Sequence, residues 1–103
     1  MLVTTADFVP GKQVQYLGMV RGNIVTSKNI GSDLLAGVKS MVGGEIKAYT
    51  EMTDDARQVA EDRMIAEAET LGANAIIAMR FASEVVAEGT TEMLAYGTAV
   101  KLA

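Results

Sequence analysis

Three long segments of alternating side chains dominate this sequence and leave few choices of fold. They run from Val14 to about Ser27, from Ala75 to Val86 and from Met93 to Leu102. Alternation with a period of two predicts β-strands. Apolar residues stand at both odd and even positions, so both faces of the resulting sheet are partly apolar. Helices can cover one face, and we expect neighbouring copies of the chain to cover the other.

Two helices are predicted between these strands. The first would end at Gly43-Gly44, because glycine readily adopts the left-handed conformation of a helix C-cap. Its apolar residues are Leu34, Leu35, Val38, Met41 and Val42. The second helix would begin near Thr50 or Thr53 and end at Gly72. Its apolar stripe of helical period consists of Met52, Ala56, Val59, Ala60, Met64, Ala68 and Leu71.

A short strand from Leu2 to Thr4 completes the predicted order β-β-α-α-β-β. With 103 residues the chain has room for one domain, spanning residues 1–103. The predicted fold class is α+β: a two-layer arrangement in which an antiparallel-type sheet of long strands packs against two helices. Gly18, Gly22 and Gly97 lie inside strands, where they predict a bulge, a bend or the close approach of a helix.

Composition excludes several classes of function. The formal net charge of −4 disfavours binding to nucleic acid or to an anionic membrane. The chain has neither Cys nor His, which removes disulfides, thiol catalysis, the usual general base and the ordinary zinc ligands. We therefore expect no enzyme activity and no cofactor. The N-terminus lacks the basic and apolar regions of a signal peptide, so we expect a cytoplasmic protein.

Three residues are candidates for a ligand site. Arg80 lies in a very apolar strand, where an unpaired guanidinium is costly to bury. We expect it to pair with a carboxylate, preferably from another subunit, or to bind an anionic ligand. Arg57 is a second cation of interest, on the longer helix. Tyr49 comes just before that helix, where its phenol could bind a ligand or anchor the helix start.

Methionine and carboxylate groups are the remaining possible metal ligands in this sequence. The seven methionines are spread over the predicted elements on apolar faces, which favours packing over Cu(I) binding. Asp54-Asp55 and Glu61-Asp62 lack the D-x-D-x-D-G pattern of a calcium loop and indicate a helix start and a solvated helix face. Gly43-Gly44 belongs to no phosphate-binding motif. We assign no metal site.

Several short motifs, specific in combination, resemble those of one known family. They are V-G-G-E at residues 42–45, L-G-A-N-A at 71–75 and G-T-A-V at 97–100. Through them the chain resembles the YbjQ family, which carries a heavy-metal-binding label, over nearly its whole length. The resemblance implies a dodecin-like α+β subunit and a ring-shaped homopentamer, with no activity securely attached. A chain without Cys or His offers heavy metals a poor set of ligands, so we expect no metal binding here.

These observations favour a non-enzymatic, homo-oligomeric module, pentameric by the resemblance, with a binding or scaffolding role. Its expected partner is the chain itself, with no nucleic acid and no membrane. Two alternatives stay open. One is a heavy-metal-binding protein. The other is a small-molecule carrier or enzyme that uses a pocket between subunits, lined by Tyr49, Arg57 or Arg80.

Overall fold

The computed structural model describes residues 1–27, 41, 42 and 45–103, which form six strands and one helix. The three long strands occupy the three segments that the alternation predicts, and the α+β class is confirmed. The strands are β1 (Leu2–Val3), β2 (Val14–Ser27), β3 (Met41–Val42), β4 (Glu45–Ile46), β5 (Ala75–Ala87) and β6 (Thr90–Leu102), and the helix α1 spans Lys47–Thr70.

The main sheet is mixed, with strand order β1-β5-β6-β2. β6 runs antiparallel to both of its neighbours, whereas β1 runs parallel to β5, with Leu2 opposite Ala75. The prediction of an antiparallel-only sheet is therefore wrong. β1 and β2 lie at opposite edges of the sheet, so the chain between them crosses over the sheet instead of turning back as a hairpin. Because this connection crosses over, β1 can pair with β5 in the parallel direction.

Only one helix, α1, occurs in the described part of the chain, so the prediction of two helices is not matched there. Residues 34–40 of the predicted first helix lie outside the described residues. Its last two residues, Met41 and Val42, instead pair antiparallel with Ile46 and Glu45. The glycine pair at 43–44, where this helix was predicted to end, lies outside the described residues.

α1 packs on one face of the sheet, mainly against β2 and β6. Its buried residues recur every fourth position, as expected for a helix face: they are Ala56, Ala60, Met64 and Ala68. Together with Val20, Ile76, Met79, Met93, Ala95 and Ala99, they form the larger core cluster. Leu71, the last residue of the predicted stripe, is exposed, because it lies beyond the end of the helix.

Gly22 sets the distance between α1 and β2. A Cβ at this position would overlap backbone atoms of Ala60 and Met64, and would lie 2.7 Å from the carbonyl carbon of Arg63. The helix backbone therefore rests directly on the strand backbone. Gly97 on β6 is also crowded, since a Cβ there would lie 2.8 Å from Cγ2 of Ile76. Gly22 confirms the predicted close approach of a helix, whereas the close neighbours of Gly97 belong to β5 in the same sheet.

The opposite sheet face is covered at one end by the chain's own N-terminal segment. The segment between β1 and β2 contributes Val9, which packs on the buried residues Ala75, Ile77 and Val100. Backbone hydrogen bonds fix its start, including Thr4 N–H to the Ile76 carbonyl at 2.9 Å and Ala78 N–H to the Ala6 carbonyl at 2.8 Å. Part of the second apolar face is thus buried within the chain itself.

β5 changes character at Ala78. Its φ of 52° lies in the left-handed region, which is uncommon for a residue other than glycine, and its pairing with β6 is interrupted between Ile77 and Arg80. Before the interruption β5 is largely buried, whereas every residue of 80–87 is exposed. This outer half of β5 still pairs with β6, which stays largely buried or half-buried here because β2 flanks its other side, and Gly89 lies at the β5–β6 turn in a left-handed conformation.

Candidate functional site

Tyr49 lies in the first turn of α1 and is half-buried. Its carbonyl accepts a hydrogen bond from Thr53 Oγ1 at 3.0 Å, which belongs to the helix itself. The helix starts at Lys47, about one turn before the predicted start. Tyr49 therefore is part of the helix start and does not precede it.

Arg57 lies in the third turn of α1 and forms an ion pair with Asp54. Both side chains are exposed, so the pair adds little stability. The two residues line a shallow groove with Gln58, Glu61 and Phe81. Two carboxylates already face the guanidinium there, which makes the groove a poor site for an anionic ligand.

Arg80 is exposed, so the burial that was expected from its apolar neighbours is wrong. Its Nη1 donates hydrogen bonds to the carbonyls of Thr5, at 3.0 Å, and Met79, at 2.8 Å. The guanidinium therefore holds the N-terminal segment against β5. No ion pair of Arg80 occurs among the described residues, and one to another subunit stays a prediction.

The three candidate residues do not meet at one site within a subunit. Phe81 lies opposite Ala95, which is in the core beneath α1, and residues directly opposite in an antiparallel pair share a face. Because successive residues alternate, Arg80 points to the sheet face away from α1. Tyr49 and Arg57 lie on α1 itself, so the sheet separates them from Arg80.

A cavity that the sequence did not predict lies between α1 and the turn end of the β5–β6 hairpin, beside the end of β2. Its volume is about 80 Å³, enough for a few waters or a very small ligand. Hydroxyl groups and thioethers share its lining, which consists of Thr26, Met52, Thr53, Ala56, Ser83, Gly89, Thr91 and Met93. The sequence feature that could have indicated this cavity is the set of hydroxyl residues on the strand face toward α1, namely Thr26, Ser83 and Thr91.

The sheet face away from α1 is mixed in polarity beyond the N-terminal segment. Met19 lies opposite Thr98 and Arg21 opposite Tyr96 on this face. Asn23 Nδ2 donates a hydrogen bond to Glu92 Oε2 at 2.8 Å, which links β2 to β6. Glu84 lies directly opposite Glu92, so two carboxylates face each other across the strands. Like charges in that position are destabilising.

Comparison with known proteins decides the family. The family model described as "Putative heavy-metal-binding" (YbjQ) matches residues 1–103. The chain belongs to the YbjQ family. Its relatives include UPF0145 proteins of Vibrio parahaemolyticus, 52% identical over 103 residues, and of Clostridium novyi, 45% identical over 102 residues. The matches cover 99% of this chain in both cases, and 98% and 99% of the two relatives.

A solved structure supports the YbjQ fold. A crystal structure of a protein of unknown function, from the DUF74 family of Pediococcus pentosaceus, superposes with a TM-score of 0.70. It is 18% identical, and the match covers 100% of this chain and 98% of that one. At such low identity the likeness extends to the fold alone. Neither the relatives nor this structure assigns a biochemical activity to a YbjQ protein.

The heavy metal of the YbjQ description does not fit the residues of this chain. The whole sequence lacks Cys and His, the thiolate and imidazole ligands that zinc, cadmium and copper prefer. Within residues 1–27, 41, 42 and 45–103, no three acidic residues come together as a metal site would require. The thioethers of Met52 and Met93 line one cavity, but Met93 is part of the core. We therefore derive no metal chemistry for this protein.

In the described part of the chain, no helix is long and apolar enough to cross a membrane. The cytoplasmic location stays a prediction.

Proposed function

We propose that this YbjQ chain is a non-enzymatic subunit of a homo-oligomer: a dodecin-like building block of a ring-shaped homopentamer with a binding or scaffolding role. The observation that carries the proposal is the number of large apolar side chains that the strands expose. Their exposed fractions are 68% for Tyr16, 66% for Met19, 53% for Val25, 70% for Val85 and 54% for Val86. Burial of such side chains between copies would stabilise an assembly.

The shape of the subunit supports the same proposal. Its radius of gyration is 16.8 Å, whereas a compact domain of this length has about 13 Å. Its longest dimension is 51 Å and its shortest 16 Å. A thin, elongated subunit leaves much of its surface in water, and contact with further copies would reduce that surface.

The dispersed candidate residues support a non-enzymatic role. General acid–base catalysis requires a titratable group within hydrogen-bond reach of the reacting atom, usually with further groups that orient it. Arg57 is engaged by Asp54 and Arg80 by two backbone carbonyls, on opposite sides of the sheet. Neither arrangement presents a nucleophile or a base.

Size-exclusion chromatography with multi-angle light scattering tests the proposal. We expect a stable species of five times the 10.9 kDa chain mass at micromolar concentration. Native mass spectrometry would confirm the number of copies. A monomer at these concentrations would refute the proposal, and an oligomer with a different number of copies would refute the pentamer alone.

A second candidate function, a small-molecule carrier, rests on the cavity between α1 and the hairpin. Its hydroxyl and thioether lining could hold a small polar ligand. Native mass spectrometry of freshly purified protein tests this candidate. We expect the wild-type protein to carry an added ligand mass, and Ala56→Leu to lack it because the larger side chain fills the cavity. The absence of any added mass on the wild-type protein would argue against the carrier.

A further inference from the structure

The outer half of β5 has an unpaired backbone edge in the described structure. β1 pairs with β5 only at Leu2 and Val3, and the N-terminal segment continues this contact as far as the hydrogen bond from Met79 N–H to the Thr4 carbonyl. Beyond Met79, the only described partner of β5 is β6. From Arg80 to Ala87, the outer N–H and C=O groups are therefore left for water or another strand.

This edge has only part of the usual protection against pairing with another chain, namely the charges of Arg80 and Glu84. Natural edge strands are commonly short, or carry Lys, Pro or a bulge that disrupts pairing. Residues 80–87 contain neither Lys nor Pro, and include the exposed apolar side chains of Phe81, Val85 and Val86. The one irregularity lies near the tip, between Val85 and Ala87. Such an edge is suited to accept a strand.

A second unpaired edge lies on the other side of the same sheet. β2 has 14 residues, and β6 is its only partner strand among the described residues. Both β2 and β5 are antiparallel to β6, so they run in the same direction. A rotation about an axis roughly along the strands preserves strand direction, so β5 of one copy would meet β2 of the next copy in parallel.

We propose that the outer half of β5, residues 80–87, adds as a parallel strand to the outer edge of β2 in a second copy of the chain. The inference rests on the proposed homo-oligomer and names the surfaces that form it. Because the two surfaces differ, each copy uses β5 on one side and β2 on the other. Contacts of this head-to-tail kind form a ring when the rotation between copies closes, and an open filament when it does not.

Charge favours a second copy as the occupant of this edge. Glu84 lies on the face away from α1, beside the like charge of Glu92. Arg21 lies on the same face of β2, opposite Tyr96. The structure gives neither Glu84 nor Arg21 an ion pair with another described residue. A parallel register that sets Glu84 beside Arg21 of the next copy would relieve the repulsion and form a cross-strand charge pair.

The same register sets Ala82 beside Met19 of the next copy, on the same sheet face, because both lie two positions earlier in parallel strands. Met19 is 66% exposed in the single chain. Within one copy, β6 separates these residues: two strand spacings and four residues of offset place them about 16 Å apart. A short cross-linker therefore distinguishes contacts between copies from contacts within one copy.

Cross-linking of introduced cysteines tests the proposal cleanly, because the chain has no native cysteine. The variants are Met19→Cys, Ala82→Cys and the double variant, each treated with a short bis-maleimide and run on a denaturing gel. We expect the double variant to give a ladder of covalent oligomers and each single variant to stay at the monomer position. Light scattering of each untreated variant verifies that it assembles like the wild type.

Three outcomes would overturn the proposal or its basis. Efficient dimers of Ala82→Cys alone would mean that β5 pairs with itself. An oligomer by light scattering without a ladder from the double variant would mean that the copies meet through other surfaces. A wild-type monomer would refute the proposed oligomer itself.

A charge exchange in the double-cysteine variant provides an independent test. We expect Glu84→Arg to lower the cross-linking yield by roughly threefold, the effect of one cross-strand charge pair. Addition of Arg21→Glu restores the opposite pair and should restore the yield. An unchanged yield in Glu84→Arg, or no recovery in the exchanged protein, would overturn the register.

Discussion

Replacement of Gly22 by alanine tests the packing of α1 on β2 directly. The added Cβ would overlap backbone atoms of Ala60 and Met64, which no side-chain rotation can move away. The helix must therefore shift as a body and loosen the contacts of its buried face. Overpacking of a core costs about 1–3 kcal/mol, and a backbone clash belongs at the upper end of that range.

A compensating effect reduces the expected loss. Alanine is favoured over glycine within a strand by about 0.5–1 kcal/mol. We therefore expect Gly22→Ala to lower the free energy of unfolding by at least about 2 kcal/mol, the overpacking cost less this gain. Urea unfolding, followed by circular dichroism at fixed protein concentration, measures the change and avoids the concentration dependence of an oligomer.

Gly72→Ala is the matched control. Gly72 has a φ of 80° after the end of α1, and nothing lies within 4 Å of a Cβ placed there. Its replacement should cost only about 1 kcal/mol, from the strained backbone conformation. A loss for Gly22→Ala no larger than that for Gly72→Ala would refute the backbone contact between helix and strand.

Three further predictions concern the core, the strand break and metals. Met64→Ala should cost about 2–5 kcal/mol by leaving a cavity in the core, whereas Met19→Ala should cost less than about 1 kcal/mol in a monomeric form of the protein; urea unfolding compares them. Ala78→Gly should unfold at equal or higher urea concentration, since glycine relieves the left-handed φ; a clear loss of stability would contradict the strain. Titration calorimetry with Zn²⁺, Cd²⁺ and Cu⁺ should show no saturable heat, and stoichiometric binding would refute the mismatch of ligands.

The long strands and the main helix were predictable because their patterns are long and regular. The start of α1 was not, and the threonines explain why. Thr50 and Thr53 have the composition of N-caps, but their hydroxyls donate to the carbonyls of Ile46 and Tyr49, at 3.4 and 3.0 Å. Bonds to residues four positions back are made by threonines inside a helix. The same residue types therefore serve two roles that sequence alone does not separate.

The environment of Arg80 could not be predicted from its neighbours in the sequence. Met79 and Phe81, on either side of Arg80, are both apolar, so the local pattern indicated a buried strand. The burial ends because the described part of β5 beyond Met79 is an edge strand, and α1 packs mainly against β2 and β6. The parallel pairing of β1 with β5 could not be predicted either, because the sequence of a two-residue strand does not indicate which strand it pairs with or in which direction.

The candidate site was predicted least well, because a ligand site depends on which residues meet in space. Tyr49 and Arg57 were chosen on residue type, and the fold places them on α1, with Arg80 across the sheet. The cavity beside the hairpin depends on the pairing of β5, β6 and β2, which brings Ser83, Thr91 and Thr26 onto one face. No local motif encodes that arrangement.

The two-sided hydrophobicity of the strands has two physical origins. One part is satisfied within the chain, because Val9 and its neighbours in the N-terminal segment cover Ala75, Ile77 and Val100. The other part remains exposed on β2 and the outer half of β5, the two strands that also have unpaired edges in the described structure. Apolar exposure and unpaired backbone therefore coincide on the same strands. One strand-to-strand contact between copies would pair these edges and bring Met19, Val85 and Val86 against a neighbouring strand, which a ligand bound at one face could not do.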